Sequence, residues 1–386
     1  MTARFVDPDR CRRPWAEVDD ATFESWGWQL RNRIDSASAA AAYFELTPEE
    51  ARALEETAGR FRFAVTPYYA LLADPRDPAC PIRRQVLPTR SEAYVRIGER
   101  GDPLGEQERE AAPNLIHRYP DRALLLVTDR CPVYCRFCTR RRIVGRTERQ
   151  ATKGLLAEAV EYVRSHPELR EVILSGGDAL MLADAMLDHL LGKLRQIPHV
   201  EILRVATRMP VTCPMRVTDR LVATLRRHAP TYVMTHFNHP RELTDAATRA
   251  IGRLVDGGLP VYNQTVLLRG INDDAETIRA LNRALVFARA TPYYLHQCDV
   301  AEGIEHFRTP LATGLEIIDR LRGHSSGLMV PQLCVDVPGG IGKVTVLPEW
   351  IVERTPTRVV FRTFTGEHGD YPEPSISNVD SPQGCA

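Results

Sequence analysis

Six short apolar runs, most of them about 30 residues apart, set the strongest limit on the fold. They fall at Ala123–Val127, Glu171–Leu174, Glu201–Ala206, Tyr232–Met234, Pro260–Leu267 and Pro292–His296. Stretches with helical periodicity fill the gaps, at 152–165, 183–196, 217–228, 243–257 and 274–289. A strand followed by a crossover helix, repeated six times, builds a parallel sheet with right-handed connections. Six units suit an α/β fold of the partial (β/α)6 barrel type better than a closed eightfold one. In such barrels chemistry gathers at the C-terminal ends of the strands.

The regions on either side of this rhythm read differently. Residues 1–113 form an N-terminal helical and irregular appendage, residues 114–310 the partial barrel, and residues 311–386 a C-terminal closing segment. Trp15–Ile34 carries helically spaced Phe23, Trp26, Trp28, Leu30 and Ile34. Thr47-Pro48-Glu49-Glu50 marks a helix start, with a capping oxygen, a proline at the first position and a glutamate at the third. Residues 66–113 are proline-rich, like a strap laid over a surface. After the sixth run come a helix near 311–322, the segment Gly327–Asp336, a glycine-rich loop to Lys343, and a small β addition around Val359–Phe364.

Composition excludes several classes. With 386 residues the chain can bury a large core. Acidic and basic residues balance at 50 each, which speaks against both nucleic acid and membrane as partners. No apolar stretch reaches spanning length, and Met1–Pro14 lacks the apolar centre of a signal peptide. Nine cysteines without a secretory signal point to a reducing cytoplasm. Six of them (Cys11, Cys80, Cys213, Cys298, Cys334, Cys385) are unclustered and read as ordinary thiols.

The other three carry chemistry. Cys131, Cys135 and Cys138 follow the first apolar run at C-x3-C-x2-C spacing, on a loop leaving the C-terminal end of its strand. Three thiolates so close can wrap one corner of a cuboidal iron–sulfur cluster and leave one iron open. A structural zinc site would need a fourth ligand and normally uses repeated C-x2-C pairs. Later strand ends deliver Ser175-Gly176-Gly177-Asp178, then Arg208, Thr235–His239, Asn263-Gln264 and Gln297–Asp299. The glycine pair lets backbone amides approach a ligand closely, which makes Ser175, Gly176, Gly177 and Asp178 cofactor-binding candidates. The chain has only three lysines, Lys153, Lys193 and Lys343. The first two lie in helical segments, whereas Lys343 ends the loop Val337-Pro338-Gly339-Gly340-Ile341-Gly342. That loop is not a phosphate-binding Walker element, because Val337 stands at the first glycine position and Val344 at the Ser/Thr position. Lys343 reads instead as a Schiff-base lysine.

The cysteine spacing is similar to that of the radical S-adenosylmethionine enzymes. From about Trp26 almost to the C-terminus the chain resembles the lysine 2,3-aminomutase family, which also uses pyridoxal 5′-phosphate. The specific segments are His117–Arg122, the cysteine motif with Thr139–Arg142, Leu174–Leu180, Thr235–Pro240, Asn263–Gly270, Gln297–Asp299, His306–Pro310 and Asp336–Lys343. The resemblance implies a barrel of radical SAM type with a [4Fe-4S] cluster on Cys131, Cys135 and Cys138. S-adenosylmethionine would bind the open iron with His236 and Gln264 nearby. Lys343 would carry pyridoxal phosphate, with Arg118, Tyr119 and Arg122 against it. Arg140 would clamp the substrate carboxylate, and Asp299 and Asp336 would face the distal cation of a basic amino acid. The implied reaction moves the 2-amino group of L-lysine to carbon 3, giving β-lysine, with an unidentified electron donor.

Departures from the family pattern keep arginine 2,3-aminomutase, giving β-arginine, as the alternative. His296 stands in place of a tyrosine, and Leu328 and Gln332 in place of a tyrosine and a threonine. The acidic pair disfavours glutamate, since buried unpaired charge is costly. The family's zinc cysteines are missing apart from Cys385, with Asp274 at another of the positions, so no structural zinc is expected. A homo-oligomer is expected from the family alone. A radical enzyme of different outcome and a non-catalytic metal-binding module are the competing classes.

Overall fold

In the computed structural model residues 14–145 and 148–374 are described; Cys11, Cys385 and the first thirteen residues of Met1–Pro14 lie outside them. Ten strands form one sheet in chain order: β1 (Glu110–Ala112), β2 (Leu115–Tyr119), β3 (Arg122–Thr128), β4 (Glu171–Gly176), β5 (Ile202–Ala206), β6 (Thr231–Thr235), β7 (Val261–Leu267), β8 (Thr291–Gln297), β9 (Gln332–Val337) and β10 (Gly342–Thr345). All six apolar runs are strands, and their pairing from β3 to β8 is parallel. The sheet does not close on itself, since β1 and β10 remain at its two edges. It is an open partial barrel.

Four of the helices between strands start where a short polar side chain satisfies a free backbone N–H group. Thr152, Thr218, Thr244 and Asp274 each cap the following helix by accepting from the N–H three residues on. Thr47 and Glu50 close the expected capping box. Trp15–Ile34 differs from the single helix its spacing suggests. Ser25 accepts from the Trp28 N–H and begins a second helix, so Asp20–Phe23 and Trp26–Arg31 are separate, and Ile34 bridges to Val65.

The rhythm also continues one unit further than the apolar runs suggest. Helix Leu311–Leu321 leads into β9, which pairs parallel with β8 through Leu295 and Leu333. β9 then turns back into β10, an antiparallel hairpin whose register sets Asp336 opposite Lys343. A separate three-stranded sheet follows: β11 (Ile351–Arg354), β12 (Arg358–Arg362) and β13 (His368–Pro372).

One continuous core joins strand residues such as Leu125, Leu174, Leu203 and Val233 to Phe44, Tyr69 and Leu87 from the first hundred residues. Each such side chain contributes about 1.5–3 kcal/mol on burial. The N-terminal helices and the strap are therefore packed onto the barrel, which brings strap residues to the strand ends. Among the described residues no helix is long and apolar enough to cross a membrane.

Candidate active site

The cysteine loop leaves β3 and is held by Ala64 and by the strap that follows it. Tyr134 N–H donates to the Ala64 carbonyl at 3.0 Å and Arg136 N–H to the Gln85 carbonyl at 2.9 Å. Glu92 is fully buried and receives the guanidinium groups of Arg136 and Arg141, each at 2.5 Å. Gly176, the last residue of β4, and Gly177 after it lie against the turn that begins the loop. A Cβ at Gly176 would stand 2.3 Å from the Thr128 carbonyl oxygen, and one at Gly177 would stand 2.2 Å from that of Arg130. The close approach these glycines permit is to the chain's own backbone at the root of the loop.

Cys131, Cys135 and Cys138 are free thiols on this loop. Burial raises the Cys131 thiol well above its ordinary value, with Asp178 and the other two cysteines adding to it. Burial and Cys135 push Cys138 up to about 11. Among the described residues no three His, Cys, Asp or Glu side chains stand as a ready metal cage. The donor set itself, three thiols without imidazole or carboxylate, fits an iron–sulfur cluster, whose irons would lower those thiol pKa values on binding.

A cavity of about 620 Å³ runs along the inner side of the barrel. It is lined by Arg118, Tyr119, Arg122, Arg140, Ser175, His236, Gln264, Asp299, Asp336 and Lys343, so these expected site residues are gathered in one space. Gly176, Gly177, Asp178 and the three cysteines are not in its wall. The link between loop and cavity runs through Arg140, two residues beyond Cys138, and through the Phe137 ring, 5.5 Å from that of His236.

At one end of the cavity charges are tightly paired. Lys343 Nζ donates to Asp336 Oδ2 at 2.5 Å, and Arg118 Nη2 donates to Asp336 Oδ1 at 2.9 Å. The Tyr119 hydroxyl accepts from Arg118 Nη2 at 2.6 Å and from the Lys343 N–H at 3.1 Å. The Arg122 guanidinium lies over the Tyr119 ring at 3.9 Å. Burial alone would raise Asp336, but Lys343 and Arg118 hold it below the ordinary carboxylate range. At Asp299 burial, then the charge of Asp336, outweighs the Thr139 hydrogen bond and the charges of Lys343 and Arg140, and raises it to about 6. His296 Nδ1 sits 3.4 Å from Lys343 Nζ, and its Nε2–H donates to Gln264 Oε1 at 3.2 Å; burial and the Lys343 charge lower it to about 3, so the ring is neutral.

At the other end, Arg140 Nε donates to Glu106 Oε1 at 2.8 Å and Nη1 reaches Ser175 Oγ at 3.3 Å. Burial and the Arg208 charge keep His236 far below the ordinary histidine value. Its Nε2 and the Nε of Arg118 are buried with no protein partner, as expected of groups that await a ligand.

Sequence reasoning missed Glu106, Arg204 and Tyr294, which also line the cavity. Glu106 anchors both Arg140 and Arg142, yet it lies in the irregular strap where no periodicity marks it. The hairpin turn before Lys343 is docked on the same strap, with the Gly339 N–H donating to the Pro103 carbonyl at 3.0 Å.

Comparison with known proteins identifies the family. A family model described as lysine-2,3-aminomutase matches residues 318–385, and the radical SAM superfamily model matches residues 125–281. The L-lysine 2,3-aminomutase of Clostridium subterminale is 46% identical over 93% of this chain and 86% of that protein. That of Fusobacterium nucleatum is 46% identical over 92% of this chain and 84% of that protein. The glutamate 2,3-aminomutase of Clostridioides difficile is 40% identical over 90% of this chain and 83% of that protein. With likeness of this depth running through both the cysteine loop and the Lys343 hairpin, the chain belongs to the lysine 2,3-aminomutase family and is a radical SAM aminomutase, an isomerase.

Proposed function

We propose that the chain moves the 2-amino group of L-lysine to carbon 3. The observation that carries this reading is the acidic pair, Asp299 and Asp336, in one cavity with Lys343 and Arg140. In this assignment Cys131, Cys135 and Cys138 hold a [4Fe-4S] cluster; Ser175, His236 and Gln264, with the Gly176–Asp178 backbone behind them, attend S-adenosylmethionine; and Lys343 carries pyridoxal phosphate beside Arg118, Tyr119 and Arg122. When bound, these groups supply a hydrogen-abstracting radical and a conjugated carrier for the migrating nitrogen.

The protein's own part is to bind and orient. Arg140, already fixed by Glu106, presents its guanidinium edge to the substrate carboxylate. With Lys343 holding pyridoxal phosphate, Asp336 would give up its 2.5 Å partner. A buried carboxylate left half-paired beside Asp299 is unfavourable by several kcal/mol, roughly, unless a cation arrives. The distal ammonium of lysine supplies it. A glutamate side chain would bring a third negative charge to the same place. Pinning the substrate at both ends limits which hydrogen lies within reach of the radical.

The test is anaerobic turnover of L-lysine, L-arginine and L-glutamate side by side, with products resolved by chromatography. β-Lysine as the main product is expected. β-Arginine as the main product, or equal turnover of glutamate, would overturn the substrate assignment.

A further inference from the structure

Arg208 lies outside the substrate cavity, yet all three nitrogens of its guanidinium are engaged. It follows β5, and Asp178 fixes its backbone by accepting the Arg208 N–H at 2.7 Å. Nε donates to the His236 carbonyl at 3.0 Å. Nη2 donates to Gln85 Oε1 at 2.6 Å, Glu242 Oε1 at 2.8 Å and the Tyr69 hydroxyl at 3.1 Å. Nη1 donates to Cys135 Sγ at 2.8 Å.

Glu242 is fully buried and Arg208 nearly so. Breaking such a pair leaves a charge without solvent or counterion, so the pair holds its geometry. The network thus fixes one N–H against the sulfur of the middle cysteine.

We infer that Arg208 is a positioning residue for Cys135 and that its charge, opposed by Glu242, sets the reduction potential of the cluster. The inference rests on the assignment of the cluster to Cys131, Cys135 and Cys138. Adding an electron makes the cluster more negative, and a fixed cation at the sulfur stabilises that state more than the oxidised one. The Glu242 carboxylate, bound to the same guanidinium, acts in the opposite sense.

The experiment uses the full chain, reconstituted anaerobically with iron and sulfide. Iron content and a redox titration followed by electron paramagnetic resonance are measured for the wild type, Arg208→Gln, Arg208→Lys and Glu242→Gln. Arg208→Gln is expected to lower the reduced-to-oxidised ratio at fixed potential about tenfold, the scale of one charge-assisted hydrogen bond. For one electron that is a midpoint about 59 mV more negative. Arg208→Lys should recover part of the difference. Glu242→Gln, which keeps the guanidinium, should shift the midpoint the other way. A merely structural pair gives no reason for opposite signs. If Arg208→Gln does not keep iron, Glu242→Gln decides the matter. Unchanged midpoints in iron-replete variants, or shifts of both in one direction, would overturn the inference and leave the cluster assignment standing. A wild type that assembles no cluster would overturn the cluster assignment, and this inference with it.

Discussion

Glu92→Gln removes one charge from the joint between strap and cysteine loop. In the wild type the buried carboxylate faces two guanidinium groups, those of Arg136 and Arg141, which are themselves almost fully buried. Glutamine keeps the shape and one acceptor but leaves both buried guanidinium charges without a carboxylate. Breaking a buried ion pair costs about 3–5 kcal/mol. Arg136 retains the Arg62 carbonyl, and Arg141 retains those of Glu302 and Gly303, so the lower end, about 3 kcal/mol, applies. A chain of 386 residues has an unfolding entropy of roughly 0.8 kcal/mol/K, which converts that loss to a Tm drop of about 4 °C.

The pH dependence gives a second handle on the same substitution. Burial alone would raise Glu92, but Arg136 and Arg141 hold it below its ordinary value. A depressed folded pKa contributes stability above the unfolded value of about 4.3, and that stability is lost as pH falls through the folded value. The wild type should therefore lose stability on acidification by an amount the variant lacks. Calorimetry at pH 7 and near pH 4, with iron content measured in parallel, checks both. A Tm change under about 1 °C at pH 7 with full iron retention would refute the reasoning, because the loop would then be held without this charge.

Three further outcomes follow from the site. Lys343→Ala should abolish turnover and the absorbance band of lysine-linked pyridoxal phosphate while leaving iron content unchanged, which ultraviolet–visible spectra and iron assay would show. Asp299 is charged only above about pH 6, so KM for L-lysine should rise below that pH in the wild type. In Asp299→Asn it should be high and flat, as steady-state kinetics across pH 5–8 would report. Gly177→Ala places a methyl 2.2 Å from the Arg130 carbonyl, where the obstacle is backbone. It should cost about 2 kcal/mol or more and reduce iron content, measurable by denaturant titration and iron assay.

The parallel strands were legible because short apolar or β-branched stretches such as Ala123–Val127 and Val172–Leu174 recur about 30 residues apart with helical periodicity between them. β9 was not, since Gln332 is exposed and Asp336 faces the cavity, which breaks the run. The helix Pro67–Leu72 interrupts the irregular strap at a readable start: Thr66 and Pro67 repeat the cap-and-proline order of Thr47 and Pro48. Within the site, the cysteines and Lys343 stand out by spacing and scarcity. Glu92 and Glu106 do not, because their partners lie 44 and 34 residues away across irregular chain. The contact from Arg208 to Cys135 is likewise invisible before folding. It joins strand ends 73 residues apart that no local pattern connects.

The stretch from Glu92 to Glu106 touches both working halves of the molecule. Glu92 grips the arginines beside Cys135 and Cys138, Pro103 receives the turn before Lys343, and Glu106 ties Arg140 between them. This makes an outwardly featureless segment the gauge that spaces the cysteine loop from the Lys343 amine. Lengthening it by a single residue would leave every helix and barrel strand able to form while throwing the two reactive centres out of alignment, a tolerance much narrower than loops usually enjoy.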